Sequence, residues 1–192
     1  MTEGPLLAVY LKSTTMADIM NADFKIVEAG TVTSPQGFTA GAVEASIKNP
    51  GKLDLAILYS EAPCVAAGVF TTNVIKAAPV ILSQKHLRDR KAQALVVNSG
   101  CANACTGDAG LADATEMASL VAKKLSIKAE NVLVASTGII GVSLPMDKIR
   151  TGIAQISFSC GGGADLARAM MTTDTFAKEI ALFVDTDSLR FT

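Results

Sequence analysis

Histidine and net charge are what this sequence has least of. A single histidine, His86, stands among 192 residues, there is no tryptophan, and 17 Lys plus Arg face 18 Asp plus Glu for a formal charge of −1. With no broad basic field to steer a polyanion, generic nucleic-acid binding is excluded as the main function. A membrane partner is excluded on similar grounds, because no stretch approaches the roughly 20 uninterrupted apolar residues that cross a bilayer. The start, Met1-Thr2-Glu3-Gly4-Pro5, is acidic, and its apolar run is too short for a secretory signal, so a cytoplasmic location is expected. Four cysteines (Cys64, Cys101, Cys105, Cys160) are spread thinly and read as free thiols. Cys101 and Cys105 have a spacing that could begin a metal site, but with one histidine the soft ligands run short and no metal is expected.

What is present is an apolar majority rich in Ala, Val, Ile and Leu, 49% of the chain, enough for one ordinary core. Residues 1–26 carry no clear period and read as a poorly patterned leader; 27–192 read as a single α/β domain. Leu53–Tyr59 and Val65–Thr71 have the length and branched content of buried strands, with Glu61-Ala62-Pro63 as a tight connection between neighbours. Pro79–Leu82 is a third short apolar run, Ala94–Val97 a fourth strand, and Val132–Ala135 a fifth. Leu111–Leu125 repeats its apolar residues at helical spacing, and Met146–Ile156, entered through Pro145, and Ala164–Met171 also read as helices. Ile180–Val184 reads as a closing strand. Strands that come in pairs without an intervening helix favour a mixed-sheet α/β sandwich with outer helices over a doubly wound sheet.

Three segments share one chemistry: an apolar strand runs into small hydroxyl, amide and glycine residues. They are Gly68–Asn73, Val96–Gly100 and Val134–Gly138. Such residues leave backbone N–H groups accessible, and glycine permits dihedrals that aim two donors at one oxygen, as an oxyanion hole requires. Turn-forming alone would also explain this composition. Met171–Thr175 adds three hydroxyls and a carboxylate, suited to holding an amino-acid substrate or simply to capping an element. No Gly-x-Ser-x-Gly, Walker lysine or Cys–His pairing is evident. A thiol enzyme on Cys101 or Cys105, beside a helix N-terminus, stays open on spacing alone.

These same segments carry a resemblance. Ala66–Asn73 with Lys76–Val80, Val96–Gly100, Ala102–Gly107, Ala135–Gly141 with Leu144-Pro145-Met146, and Met170–Thr175 occur in the order seen in the ornithine acetyltransferase family, the arginine-biosynthesis bifunctional proteins. The resemblance implies acetyl transfer from N-acetylornithine to glutamate, with acetyl-CoA as a further co-substrate in some members and no resident cofactor. It implies a precursor that cuts itself before a threonine, which then serves as nucleophile, and two chains that assemble as a heterotetramer of two α and two β chains. The oxyanion pair of the family falls on Thr137 and Gly138, and its substrate-contacting threonine on Thr172, with Thr173 beside it. Asn98, Ser99 and Asn103 line or support the same region. Cys101 departs from the family pattern, where a second Asn is usual, and Ser157–Gly163 replaces a smoother helix connection. The sequence ends at Thr192, inside an expected strand Leu189–Thr192, before the glycine-rich segment and the cleavage junction. On this reading the nucleophile lies beyond these residues and the fragment alone is inactive; the alternative is a remnant that binds an amino acid or a partner without catalysis.

Overall fold

A computed structural model describes residues 8–9, 23–185 and 190–191. The strands are β1 (Ala8–Val9), β2 (Asp23–Ile26), β3 (Phe38–Val43), β4 (Leu55–Ala67), β5 (Lys91–Asn98), β6 (Val132–Ser136), β7 (Leu182–Asp185) and β8 (Arg190–Phe191). The α-helices are α1 (Ala78–His86), α2 (Gly107–Leu125), α3 (Met146–Gln155) and α4 (Gly163–Ala169). One mixed sheet runs β1-β4-β5-β6, with β3 also on β4; the second, smaller sheet is β2-β7-β8. Every pairing is antiparallel except β5 with β6, which are parallel and joined through α2 as a β-α-β crossover.

Alternation along the strands sorts the main sheet into two faces. Leu55, Ile57, Val96, Val132 and Val134 pack with Met117, Val121, Ile149 and Ile153 of α2 and α3, and with Leu82 of α1. The neighbouring residues Ala56, Leu58, Val97 and Ala135 turn the other way and meet Leu166 and Ala169 of α4. The layers are therefore helix, sheet, helix, the mixed α/β architecture that the paired strands predict. Leu55, Ile57, Val96, Val121, Val132 and Ile149 are fully buried, each contributing on the order of 1.5–3 kcal/mol of apolar burial. Among the described residues no helix is long and apolar enough to cross a membrane.

Several elements differ from the sequence expectation. The two strands at 53–71 are one strand, β4. Its register against β5 jumps between Tyr59 and Cys64, so that Ser60–Pro63 bulge opposite Gln93, whose side chain donates to the Ser60 carbonyl at 3.2 Å. Pro63, which cannot donate to a ladder, sits within that bulge. Pro79–Leu82 is not extended but opens α1, with proline in its first turn. β7 closes the small sheet on β2 rather than the main one. Within the first 26 residues, Ala8–Val9 pair with Ala66–Ala67 and Asp23–Ile26 with β7; the rest of that leader lies outside the described residues.

Helix α1 covers the exposed side of β6. Ser83 Oγ donates to the Val134 carbonyl at 2.8 Å and accepts the Val134 amide at 3.0 Å, and the His86 imidazole Nδ1 bonds the Val132 carbonyl at 2.8 Å. The edge of the sheet is thereby satisfied by side chains. His86 is accordingly buried against a strand, not free in a polar loop.

Two glycines of the run at 161–163 have a packing reason. A Cβ at Gly162 would collide with the Ala40 carbonyl and one at Gly163 with the Thr31 side chain, so glycine lets α4 approach β3 closely.

Candidate active site

Because β5 and β6 are parallel, Asn98 and Ser136 finish side by side, and the loops that follow leave the same edge of the sheet. That edge, outside the carboxyl ends of parallel strands, is where open α/β sheets bind ligands. The two loops are laced together: Thr137 N–H donates to the Asn98 carbonyl (3.0 Å), Ile139 N–H to Gly100 (3.3 Å), Ala102 N–H to Ile139 (2.9 Å) and Gly141 N–H to Ala104 (2.8 Å). The buried Cys101 thiol donates to the Val142 carbonyl at 3.1 Å, a further tie between the loops. The third strand end, Gly68–Asn73, belongs elsewhere: β4 runs antiparallel to β5, so its end lies beside the start of β5. The chain returns to the site edge only at Ala78, whose N–H donates to the Asn103 carbonyl at 3.2 Å.

Gly138 is the tightest point of the turn. Its φ is +132°, and an added Cβ would strike the peptide joining Gly100 to Cys101, 2.6 Å from the Cys101 nitrogen. Only glycine combines that dihedral with that approach. Thr137 is half-buried and Gly138 exposed. Among the described residues, neither the Thr137 hydroxyl nor the Gly138 N–H has a hydrogen-bond partner. Two adjacent donors at an open edge, with the Thr137 backbone pinned from behind, form an arrangement able to receive a developing oxyanion.

The remaining polar residues build the support. Asn98 is fully buried and its Nδ2 donates to the Cys101 carbonyl at 2.9 Å. Ser99, also buried, donates its N–H to the Asp54 carbonyl at 2.8 Å. The Asp54 carboxylate accepts the amides of Ala45 and Ile47 at 2.7 and 2.5 Å, fixing the loop before β4 against this edge. Asn103 is buried with φ +47°; its Nδ2 donates to the Gly110 carbonyl in the first turn of α2 at 2.8 Å, and Thr106 Oγ1 donates to its Oδ1 at 2.7 Å. Asn98, Ser99 and Asn103 thus support the turn from within rather than presenting side chains to solvent. Cys105 is exposed. Among the described residues no group of three His, Cys, Asp or Glu could hold a metal ion.

Thr172 and Thr173 are exposed and follow α4. Ala169 of that helix packs in one cluster with Val97 and Ala135, the residues just before the two strand ends, so the segment sets out from the underside of the site. Among the described residues no hydrogen bond joins Thr172 or Thr173 to Thr137 or Gly138. The local order comes from Asp174, which accepts the Thr172 N–H at 3.4 Å and pairs with Lys178. The Lys178 ammonium, and after it the Thr172 amide, hold the Asp174 carboxyl below its ordinary value of 3.8. Ser136 enters the sequence reading only as one residue of the 134–138 segment. Its Oγ is buried without a partner, and only its register with Asn98 reveals it.

The sequence model of the ArgJ family matches residues 39–192, a span that takes in the whole of this site. The chain belongs to the ArgJ family. Over 174 residues it is 51% identical to the arginine biosynthesis bifunctional protein ArgJ of Dehalococcoides mccartyi, covering 90% of this chain and 43% of that protein. It is 54% identical over 157 residues to the ArgJ protein of Symbiobacterium thermophilum, covering 80% of this chain and 39% of the relative. The chain therefore spans about two fifths of the length of these curated relatives. Two solved structures share the fold of this ArgJ-family chain. The Bacillus halodurans arginine biosynthesis bifunctional protein is 37% identical with a TM-score of 0.84, covering 89% of this chain and 91% of that one. The Mycobacterium tuberculosis ornithine acetyltransferase, complexed with ornithine, is 42% identical with a TM-score of 0.81, covering 88% and 92%.

Proposed function

We propose that this chain supplies the oxyanion-stabilising part of an acetyltransferase that moves an acetyl group from N-acetylornithine to glutamate. The observation that carries the reading is the Thr137–Gly138 turn, with its adjacent hydroxyl and N–H free at the carboxyl edge of the parallel strands. A threonine hydroxyl from a companion polypeptide attacks the acetyl carbonyl, and the carbonyl oxygen becomes an oxyanion held by the Thr137 hydroxyl and the Gly138 N–H. Collapse expels the ornithine amine, which takes up a proton, and leaves the acetyl group esterified to the threonine. The amine of glutamate then attacks this ester through a second oxyanion at the same place, loses its proton and releases the free threonine. One such donor contributes about 3–4 kcal/mol to the transition state. Thr172 and Thr173 contact the amino-acid portion of the substrate.

The companion polypeptide is the β chain of the same precursor, released by cleavage before the nucleophilic threonine, and the working unit is a heterotetramer in the cytoplasm. The lengths support this: the curated relatives are more than twice the span matched here, whereas the chain covers about nine tenths of each matched polypeptide in the solved structures. The ornithine bound to the Mycobacterium tuberculosis protein supports the substrate class. Acetyl-CoA is a further donor in this scheme. The test is reconstitution: co-expression with the remainder of an ArgJ protein should give acetyl transfer from N-acetylornithine to glutamate. Ornithine or glutamate binding by the chain alone, with no transfer on reconstitution, would favour the amino-acid-binding remnant instead.

A further inference from the structure

We propose that Asn98 and Ser136 hold one buried water between the ends of β5 and β6, and that this water fixes the turn carrying Thr137 and Gly138. The positional claim rests on the oxyanion reading of that turn; the water itself does not. Among the described residues, the buried side-chain polar atoms without a hydrogen-bond partner are Asn98 Oδ1 and Ser136 Oγ. They belong to residues that pair in register across the two parallel strands. Buried polar atoms are almost always satisfied, so two orphans at one register position call for a common partner.

Geometry selects a water. The backbones of register partners stand about 4.8 Å apart, one strand spacing, and from there Asn98 Oδ1 and Ser136 Oγ make no direct bond to each other. Two hydrogen bonds of about 2.8 Å meeting at a tetrahedral oxygen span about 4.6 Å, whereas a direct hydroxyl-to-carbonyl bond needs about 2.8 Å. Asn98 cannot swing to close that gap, because its Nδ2 is committed to the Cys101 carbonyl. Its Oδ1 only accepts, so the bridging group must donate to it, whereas the Ser136 hydroxyl either donates or accepts, and a water meets both demands. Neither orphan atom is open to solvent in the folded chain, which favours a molecule trapped on folding over a side chain from a partner. Asn98 then acts on the turn three times: its carbonyl holds the Thr137 amide, its Nδ2 holds the Cys101 carbonyl, and its Oδ1 reaches Ser136 through the water. Asn98 and Ser136 are positioning residues in this scheme.

A high-resolution crystal structure of this chain tests the site. A water within about 2.6–3.2 Å of both atoms is expected. A direct Asn98–Ser136 bond, a dry gap, or a protein donor from the companion chain in the reconstituted complex would overturn the proposal. In solution, Ser136→Ala should speed exchange of the Thr137 amide roughly tenfold, and Ser136→Thr should restore protection; unchanged exchange in Ser136→Ala would also overturn it. In the reconstituted enzyme, Ser136→Ala should lower kcat about tenfold with KM within about twofold, recovered by Ser136→Thr. A complex inactive with the native chain would sink the acetyl-transfer reading while the crystallographic and exchange outcomes still decide the water.

Discussion

The backbone carbonyl of Asn98 accepts the Thr137 amide at 3.0 Å, one residue beyond the last register pair of β5 and β6. This bond carries the order of the parallel strands into the turn. It commits the Thr137 N–H to the fold, so the donors of this turn left without a partner are the Thr137 hydroxyl and the next N–H, that of Gly138.

Gly138 should tolerate no side chain. Gly138→Ala combines a φ of +132° with collision against the Gly100–Cys101 peptide, and the loss expected is about 1–3 kcal/mol from the dihedral, with the clash added. Gly37→Ala is the control, since Gly37 has φ +85° but open space around it. Chemical denaturation should rank Gly138→Ala as the more damaging; equal losses would mean that the close approach does not matter.

Ser83 closes the edge of β6 with two bonds to Val134, both buried. Ser83→Ala strands the Val134 amide and carbonyl away from water, and the expected loss is about 1–3 kcal/mol. A urea midpoint indistinguishable from that of the native chain would contradict this role.

The segment after α4 should respond to acid. The Asp174 carboxyl is held below its ordinary value of 3.8 by Lys178 first and the Thr172 amide second, so the folded state favours the ionised form. Its contribution to ordering Thr172 is complete above 3.8 and is lost as the pH falls through the lower folded value. The Thr172 amide resonance should titrate with a midpoint below 3.8; a midpoint at or above 3.8 would contradict the pairing, and Asp174→Asn should abolish the transition.

How far the sequence was legible depended on what set each element. α2 follows from periodicity because one of its faces is buried from Gly110 to Ala122. α1 does not, since it is short and its buried residues, Ala78, Pro79, Leu82, Ser83 and His86, include two polar ones whose partners lie on a strand some fifty residues away. Glu61-Ala62-Pro63 has turn composition, yet a bulge uses the same residues without ending the strand. The strand ends at Asn98 and Ser136 look like the end at Ala67 in sequence; only strand direction separates them, and direction is set by long-range pairing that local composition does not encode. Thr137 and Gly138 stand out in sequence through the small polar residues of their strand end and through family resemblance, whereas the unpartnered atoms of Asn98 and Ser136 appear only once the register is known.

The central claim is that the Thr137 hydroxyl and the Gly138 N–H stabilise the oxyanion of acetyl transfer. Its most direct test is the rate of acetyl transfer from N-acetylornithine to glutamate by Thr137→Val in the reconstituted enzyme. The variant should fold and assemble as the native chain does, with kcat reduced roughly 10²-fold or more. A rate within about threefold of native, at unchanged KM, would contradict the account.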